Sequence, residues 1–181
     1  ELCGLDIAFS HNSFYQIHSE QCEVLYGLAK KMLDLKETDT VLDTYCGVGT
    51  IGLTMTDSCK KVMGVEVNPD AIENAKYNAK QNKIKNIEFV AMDSTEFMRQ
   101  ARKYHNHYDA IIMDPPSYGR GPKGEIWKIE DCIHDLIKLC TKILSDEPLF
   151  FLINSYTTGL APAVLTYMLS TELKKFGGHV D

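Results

Sequence analysis

Residues 41–53 read VLDTYCGVGTIGL, and residues 64–71 answer them with GVEVNPDA. A short apolar run reaches Asp43, after which Gly47, Gly49 and Gly52 open a helical stretch. That strand, turn and helix sequence lets a backbone press against a nucleotide-like ligand, an approach only glycine permits cheaply. The second strand ends in Glu66, and a carboxylate at such a tip can accept hydrogen bonds from both hydroxyls of a ribose. Outward from there, the chain alternates strand and helix, with strands expected over 41–43, 61–66, 87–92, 108–113 and 149–154. Strict alternation predicts an α/β fold built on a mostly parallel sheet with right-handed crossovers.

The GVGTIG loop has the G-x-G-x-x-G outline of a dinucleotide site, so NAD is the first rival ligand. Asp43 stands four residues ahead of Gly47, where it would repel a pyrophosphate but hold a cationic amino-acid head. S-adenosyl-L-methionine carries an ammonium, a sulfonium, a ribose and an adenine, and no phosphate. An acid before the glycines and another after the second strand fit it better than NAD.

At 181 residues the chain suits one domain, with 1–36 as a lead-in and helix and 37–181 as a Rossmann-like, doubly wound core. Nineteen Lys and Arg against 25 Asp and Glu give a net charge of -6, which offers no global attraction to nucleic acid. Any RNA must then be held by a local basic patch or by a separate domain. The six cysteines form no C-x-x-C pair and no zinc spacing, so they read as reduced cytoplasmic thiols with no metal. No long apolar run and no charged-then-apolar leader supports a membrane or secretory reading.

Ser19 caps an expected amphipathic helix running to about Leu35, and Gln16 lies on the approach to it, near the ligand loop or simply in solvent. Pro69, Ile72, Ala75 and Ala79 predict a helix over 69–82. Asp93 ends the third strand, where it can meet an adenine amino group or merely cap the helix that follows. The fourth strand runs straight into DPPSYGRGPKG, residues 114–124. Ligands of open parallel sheets bind at the carboxyl ends of strands, so Asp114, Pro115 and Pro116 stand where a second substrate would meet the donor. Asp114 and the first peptide carbonyls can accept hydrogen bonds from a base edge. Tyr118 can stack on a flipped base, worth ~1–3 kcal/mol, or pack on its own loop. Arg120, Lys123 and Lys128 give this stretch a positive cast, and its glycines predict a mobile loop. A helix is expected over 127–144, with Cys132 and Cys140 facing the core, and Pro162 opens a last helix. The sheet reaches about five or six strands, which favours a truncated chain over a complete one.

At these residues the chain resembles class I S-adenosylmethionine-dependent methyltransferases. Over residues 13–116 it is similar to the RNA uracil-C5 methyltransferase family, with SFYQIHSEQ, DTYCGVGTIGL, GVEVNPDAIENAKYNA and IIMDPP carrying the likeness. The resemblance implies that Gln16 contacts the donor or positions substrate, that Asp43, Tyr45, Gly47 and Gly49 cradle its methionine, that Glu66 and Val67 hold the ribose side, that Asp93 takes the adenine, and that Asp114 meets both donor and target base.

After Pro116 the likeness changes. SYGRGPKGEIWKIED and LFFLINSYTTGL, within 117–175, resemble a branch of Rossmann-like methyltransferases acting on ribosomal RNA bases. A natural mosaic and a chimera both account for that switch. The uracil family adds a cysteine thiolate to the base from a Ser-Cys-Asn-Pro turn, because carbon 5 is a poor nucleophile. Here the turn reads Asn154, Ser155, Tyr156 and Thr157, with no cysteine. The resemblance therefore implies a donor-binding RNA base methyltransferase, ribosomal RNA favoured over transfer RNA, that acts on uracil C5 or on a base nitrogen with Asp114, Pro115, Tyr118 and Asn154 at the acceptor. A truncated or chimeric module that only binds donor is the alternative.

Overall fold

Apolar residues alternate along the central strands, so each strand buries one set on either face of the sheet. A computed structural model describes residues 1–10, 19–120, 124 and 126–180. In chain order the elements are α1 (Ser19–Leu33), β1 (Thr40–Thr44), α2 (Thr50–Met55), β2 (Lys61–Glu66), α3 (Pro69–Gln81), β3 (Ile87–Ala91) and α4 (Ser94–Lys103). There follow β4 (Ala110–Met113), β5 (Tyr118–Arg120), β6 (Ile126–Lys128), α5 (Ile129–Cys140), β7 (Phe150–Ile153) and α6 (Pro162–Glu172).

Five strands form one parallel sheet in the order β3-β2-β1-β4-β7. Val41, Ala110 and Ile112 join α1 and α2 residues such as Tyr26, Leu33 and Met55 on one face. Leu42, Ile111 and Met113 face the other way, against Met98 of α4 and Ile133 and Ile137 of α5. This is the doubly wound Rossmann-like architecture expected from the alternation.

The order reverses between β1 and β4, and the chain leaves those neighbours in opposite directions, so a crevice opens beyond their carboxyl ends. Their register runs from Val41 opposite Ala110 to Thr44 opposite Met113. Both strands therefore end level, and the loop starting at Tyr45 emerges beside the turn starting at Asp114.

The main departure from expectation lies after that turn. The expected helix from 127 gives way to extended backbone at Tyr118–Arg120 and Ile126–Lys128, while residues 121–123 and 125 lie outside the described residues. β5 and β6 pair as an antiparallel ribbon, Tyr118 opposite Lys128 and Gly119 opposite Trp127, and α5 starts only at Ile129. Tyr, Ile and Trp favour the extended backbone, and the Trp127 indole N–H donates to the Pro116 carbonyl at 2.8 Å, which ties the ribbon to the turn. Cys140 is buried as expected, but Cys132 is only half-buried, on the α4 side of α5. Gln16 and Lys123 lie outside the described residues.

Candidate active site

The glycine loop is shaped by what surrounds it. Gly47 and Gly49 have φ of 54° and 86°, in the left-handed region, and the non-glycine Tyr45 sits there too at 60°. A Cβ on Gly49 would meet the Phe89 ring at 2.9 Å, so β3 closes against the loop from the side. The third glycine answers to Asp43. A Cβ on Gly52 would come within 2.9 Å of Asp43 Oδ2, and the Gly52 N–H donates to that same oxygen at 2.8 Å. The first turn of α2 is thus held down onto the acid that ends β1.

Asp43 is 1% exposed, and its other oxygen, Oδ1, has no hydrogen-bond partner among the described residues. A buried carboxylate oxygen left unmatched is costly, so the site fits a cationic donor group. Burial pushes the Asp43 carboxyl up to about 8, the Gly52 N–H opposes that shift, and the neighbouring Asp114 and Glu66 add to it. Asp43, near the end of β1, is thus close enough to feel both Glu66 at the end of β2 and Asp114 just after β4.

Glu66 braces the loop from the next strand. Its Oε2 accepts from the Gly47 N–H at 3.2 Å and its Oε1 from the Asn68 N–H at 2.9 Å. Each carboxylate oxygen keeps a further lone pair for a hydroxyl. Val67, next in the chain, is 66% exposed at the strand tip and offers an apolar surface to a flat ring. Asp93 caps α4 by accepting from the Glu96 N–H at 2.9 Å through Oδ1, which leaves its Oδ2 for another donor. The capping expectation for Asp93 therefore holds, and it does not exclude the other.

At the turn after β4, burial pushes the Asp114 carboxyl up to about 6 against an opposing hydrogen bond from Asn154. Asn154 is placed by its own N–H, which donates to the Met113 carbonyl at 2.9 Å, and its Nδ2 also donates to the Tyr156 hydroxyl at 2.8 Å. Pro115 is buried. The Pro116 carbonyl, expected to face a base edge, is already engaged by Trp127. Thr157 donates to the Ser117 hydroxyl at 2.7 Å, which links the segment after β7 to the turn after β4. Tyr118 is 51% exposed on the ribbon, and Lys128 is exposed at its far strand. The structure thus brings Asp43, Glu66 and Asp114 together and sets Asn154 beside Asp114.

Sequence reasoning missed Trp127, whose ring lies 6.4 Å from that of Tyr45. A lone tryptophan beside a glycine loop was the available signal. It also missed Phe89 as the wall of the loop, which only the pairing of β2 with β3 reveals. Among the described residues no three His, Cys, Asp or Glu gather as metal ligands, and no helix is long and apolar enough to cross a membrane.

A family model described as a methyltransferase domain matches residues 35–170, running unbroken across Pro116. An uncharacterized RNA methyltransferase of Lactiplantibacillus plantarum is 43% identical over 119 residues, which cover 66% of this chain and 26% of that protein. The chain therefore spans about a quarter of the length of this relative. A SAM-dependent methyltransferase from Agrobacterium tumefaciens superposes with a TM-score of 0.82 at 22% identity, over 96% of this chain and 56% of its own. The tRNA (uracil-54, C5)-methyltransferase of Pyrococcus abyssi, in complex with S-adenosyl-L-homocysteine, is 29% identical with a TM-score of 0.51, over 64% of this chain and 27% of its own.

Proposed function

This chain belongs to the methyltransferase domain family, and from that premise we propose that it is the donor-binding catalytic domain of an S-adenosylmethionine-dependent RNA base methyltransferase. The observation that carries the reading is the buried, unmatched Oδ1 of Asp43 beneath a glycine loop that ends level with Asp114. Names of relatives support the substrate class: both the Lactiplantibacillus and the Pyrococcus proteins are called RNA methyltransferases of one kind or another. The likeness of residues 117–175 to enzymes of ribosomal RNA favours that RNA over transfer RNA. Six free cysteines suit a reducing compartment, the cytoplasm.

When bound, the donor supplies an electrophilic methyl group on its sulfonium. Asp43 takes the ammonium, and the Gly47 to Gly49 backbone follows the methionine chain. Glu66 accepts from the ribose hydroxyls, while Val67 and the free oxygen of Asp93 receive the adenine face and its amino group. The resemblance assigns Gln16, which lies outside the described residues, to the same donor. Asp114 and Asn154 orient the target base, Pro115 holds their turn rigid, and Tyr118 stacks on the base once it is extruded.

Transfer to a base nitrogen needs only an aligned lone pair. Transfer to uracil C5 needs a thiolate, and Cys46, the cysteine of the donor loop, is buried with its thiol pushed well above the ordinary range. Asn154 and Tyr156 stand where the uracil enzymes place their cysteine turn, which favours nitrogen. The same substitution supports a second reading, a module that binds donor without catalysis. Incubation with methyl-labelled donor and bulk ribosomal RNA decides: nuclease-sensitive label establishes transfer, while donor binding by calorimetry without transfer leaves only the module.

A further inference from the structure

A groove of about 580 Å³ runs between α4 and α5, starting beside the donor crevice and leading away from it. Its upper end is formed by Thr95, at the start of α4, and by Trp127, the residue whose indole is tied to the Pro116 carbonyl. From there it descends past Asp131 and Asp135 to Arg99 and Arg102 on one wall and Lys138 and Lys142 on the other. All four cations are exposed. Lys138 lies 3.8 Å from Asp135, an exposed pair of little energy, whereas the other three have no ion pair among the described residues.

In a chain of net charge -6, four cations against two carboxylates make this groove a local exception. Cations on both walls with an aromatic ring at the head suit a flexible polyanion bearing bases, because the backbone can follow the charges while a base stacks at the top. We infer that the α4/α5 groove carries the backbone of the RNA strand leaving the acceptor turn, with Arg99, Arg102, Lys138 and Lys142 as phosphate contacts. The inference rests on the RNA methyltransferase reading and adds a path for the strand. Arg99 and Arg102, three residues apart on α4, rise about 4.5 Å along the helix and point the path away from the crevice. Phosphate contacts position the strand and carry no sequence information, so base choice stays with Asp114, Asn154 and the ribbon.

The test is anisotropy of a fluorescein-labelled twelve-nucleotide uridine RNA, titrated with the full chain, with Arg99→Glu/Arg102→Glu, and with Lys80→Glu/Lys83→Glu, which lie beside β3 and outside the groove lining. Calorimetry with S-adenosyl-L-homocysteine shows that each variant keeps its fold. The groove variant is expected to bind RNA at least about 10-fold more weakly, with the salt slope shallower by about two, and the β3-side variant less than about 2-fold more weakly. Equal losses in the two variants, or displacement of the RNA by polyglutamate as readily as by unlabelled RNA, overturn the groove as an RNA path. Unchanged RNA binding by the groove variant, while the wild-type chain still transfers label to RNA, overturns the path and leaves the enzymatic reading standing. Neither RNA binding nor label transfer by the wild type removes both.

Discussion

The glycine-loop end and the Asp114 end of this site, donor and acceptor ends in the proposed function, follow neighbouring strands but are held by different means. Around Gly47, Gly49 and Gly52 the backbone itself is clamped, by carboxylates at 2.8 and 3.2 Å and by a phenyl ring that leaves no room for a Cβ. Around Asp114 the arrangement depends on side chains reaching across elements: Trp127 to Pro116, Thr157 to Ser117, Asn154 to Asp114 and Tyr156. A clamped backbone tolerates few sequences. Contacts between side chains can be rebuilt with other residues, so the acceptor end is where relatives can differ while the donor end stays fixed.

The largest expected effect tests the clamp. Asp43→Asn keeps the shape and the hold on Gly52 but removes the carboxylate that the proposed function sets against the ammonium. Donor affinity, measured by calorimetry, should fall about 10- to 100-fold, the worth of about 1.5–3 kcal/mol for a hydrogen bond to a charged group. The same variant should gain stability without donor. Because burial raises the Asp43 carboxyl from 3.8 to about 8 in the fold, the wild type loses stability progressively as pH climbs through that window, and loses no more above it. Melting curves of the variant should lack that part of the pH dependence. A variant that binds donor as well as the wild type does would break the contrast outright.

Gly64→Ala comes next. Its Cβ would meet the Phe89 ring at 2.5 Å and Cys46 Sγ at 3.1 Å, so the ring must leave its place over the loop. A loss of about 1–3 kcal/mol is expected by denaturant unfolding, with weakened donor binding. The matching change at the acceptor end, Gly119→Ala, places its Cβ 3.7 Å from that of Trp127, an ordinary contact, and should move stability by less than about 0.5 kcal/mol. If these two alanines cost the same, the difference between the ends is not one of backbone room.

A smaller effect probes Asp114, held at about 6 by burial against the opposing hydrogen bond from Asn154. Asn154→Ala removes a contact that favours the ionised form, so the acidic limb of the pH-rate profile should move to higher pH. Donor affinity at pH 8 should stay within about 2-fold, since the group removed, Asn154, is assigned to the target base and not to the donor. A limb that stays put would mean that Asp114 does not set it.

How much of this was legible beforehand follows the same division. Asp43, the glycines and Glu66 could be read from spacing, because a backbone with positive φ and a buried acid restrict residue choice at fixed positions. Strand alternation likewise gave β1 through β4 and β7 nearly to the residue, with Lys61–Glu66 as expected. The ribbon at Tyr118–Arg120 and Ile126–Lys128 was obscured by three glycines that suggested a loop, since its stability comes from Trp127 reaching back to Pro116, a contact no local pattern encodes. Cys132 was misplaced for a related reason: helical spacing from Cys140 says which residues share a side, but not where α4 stops covering it.

The two ends of that ribbon are themselves joined, by the Ile129 N–H donating to the Ser117 carbonyl at 3.2 Å. Strands β5 and β6 therefore stand between β4 and α5 as a ribbon outside the parallel sheet. A ribbon tied off at its base in this way can be exchanged as a cassette, so under the proposed function a new acceptor preference can arise by transplanting one short piece of chain while the glycine loop and the hydrophobic layers beneath it remain as they were.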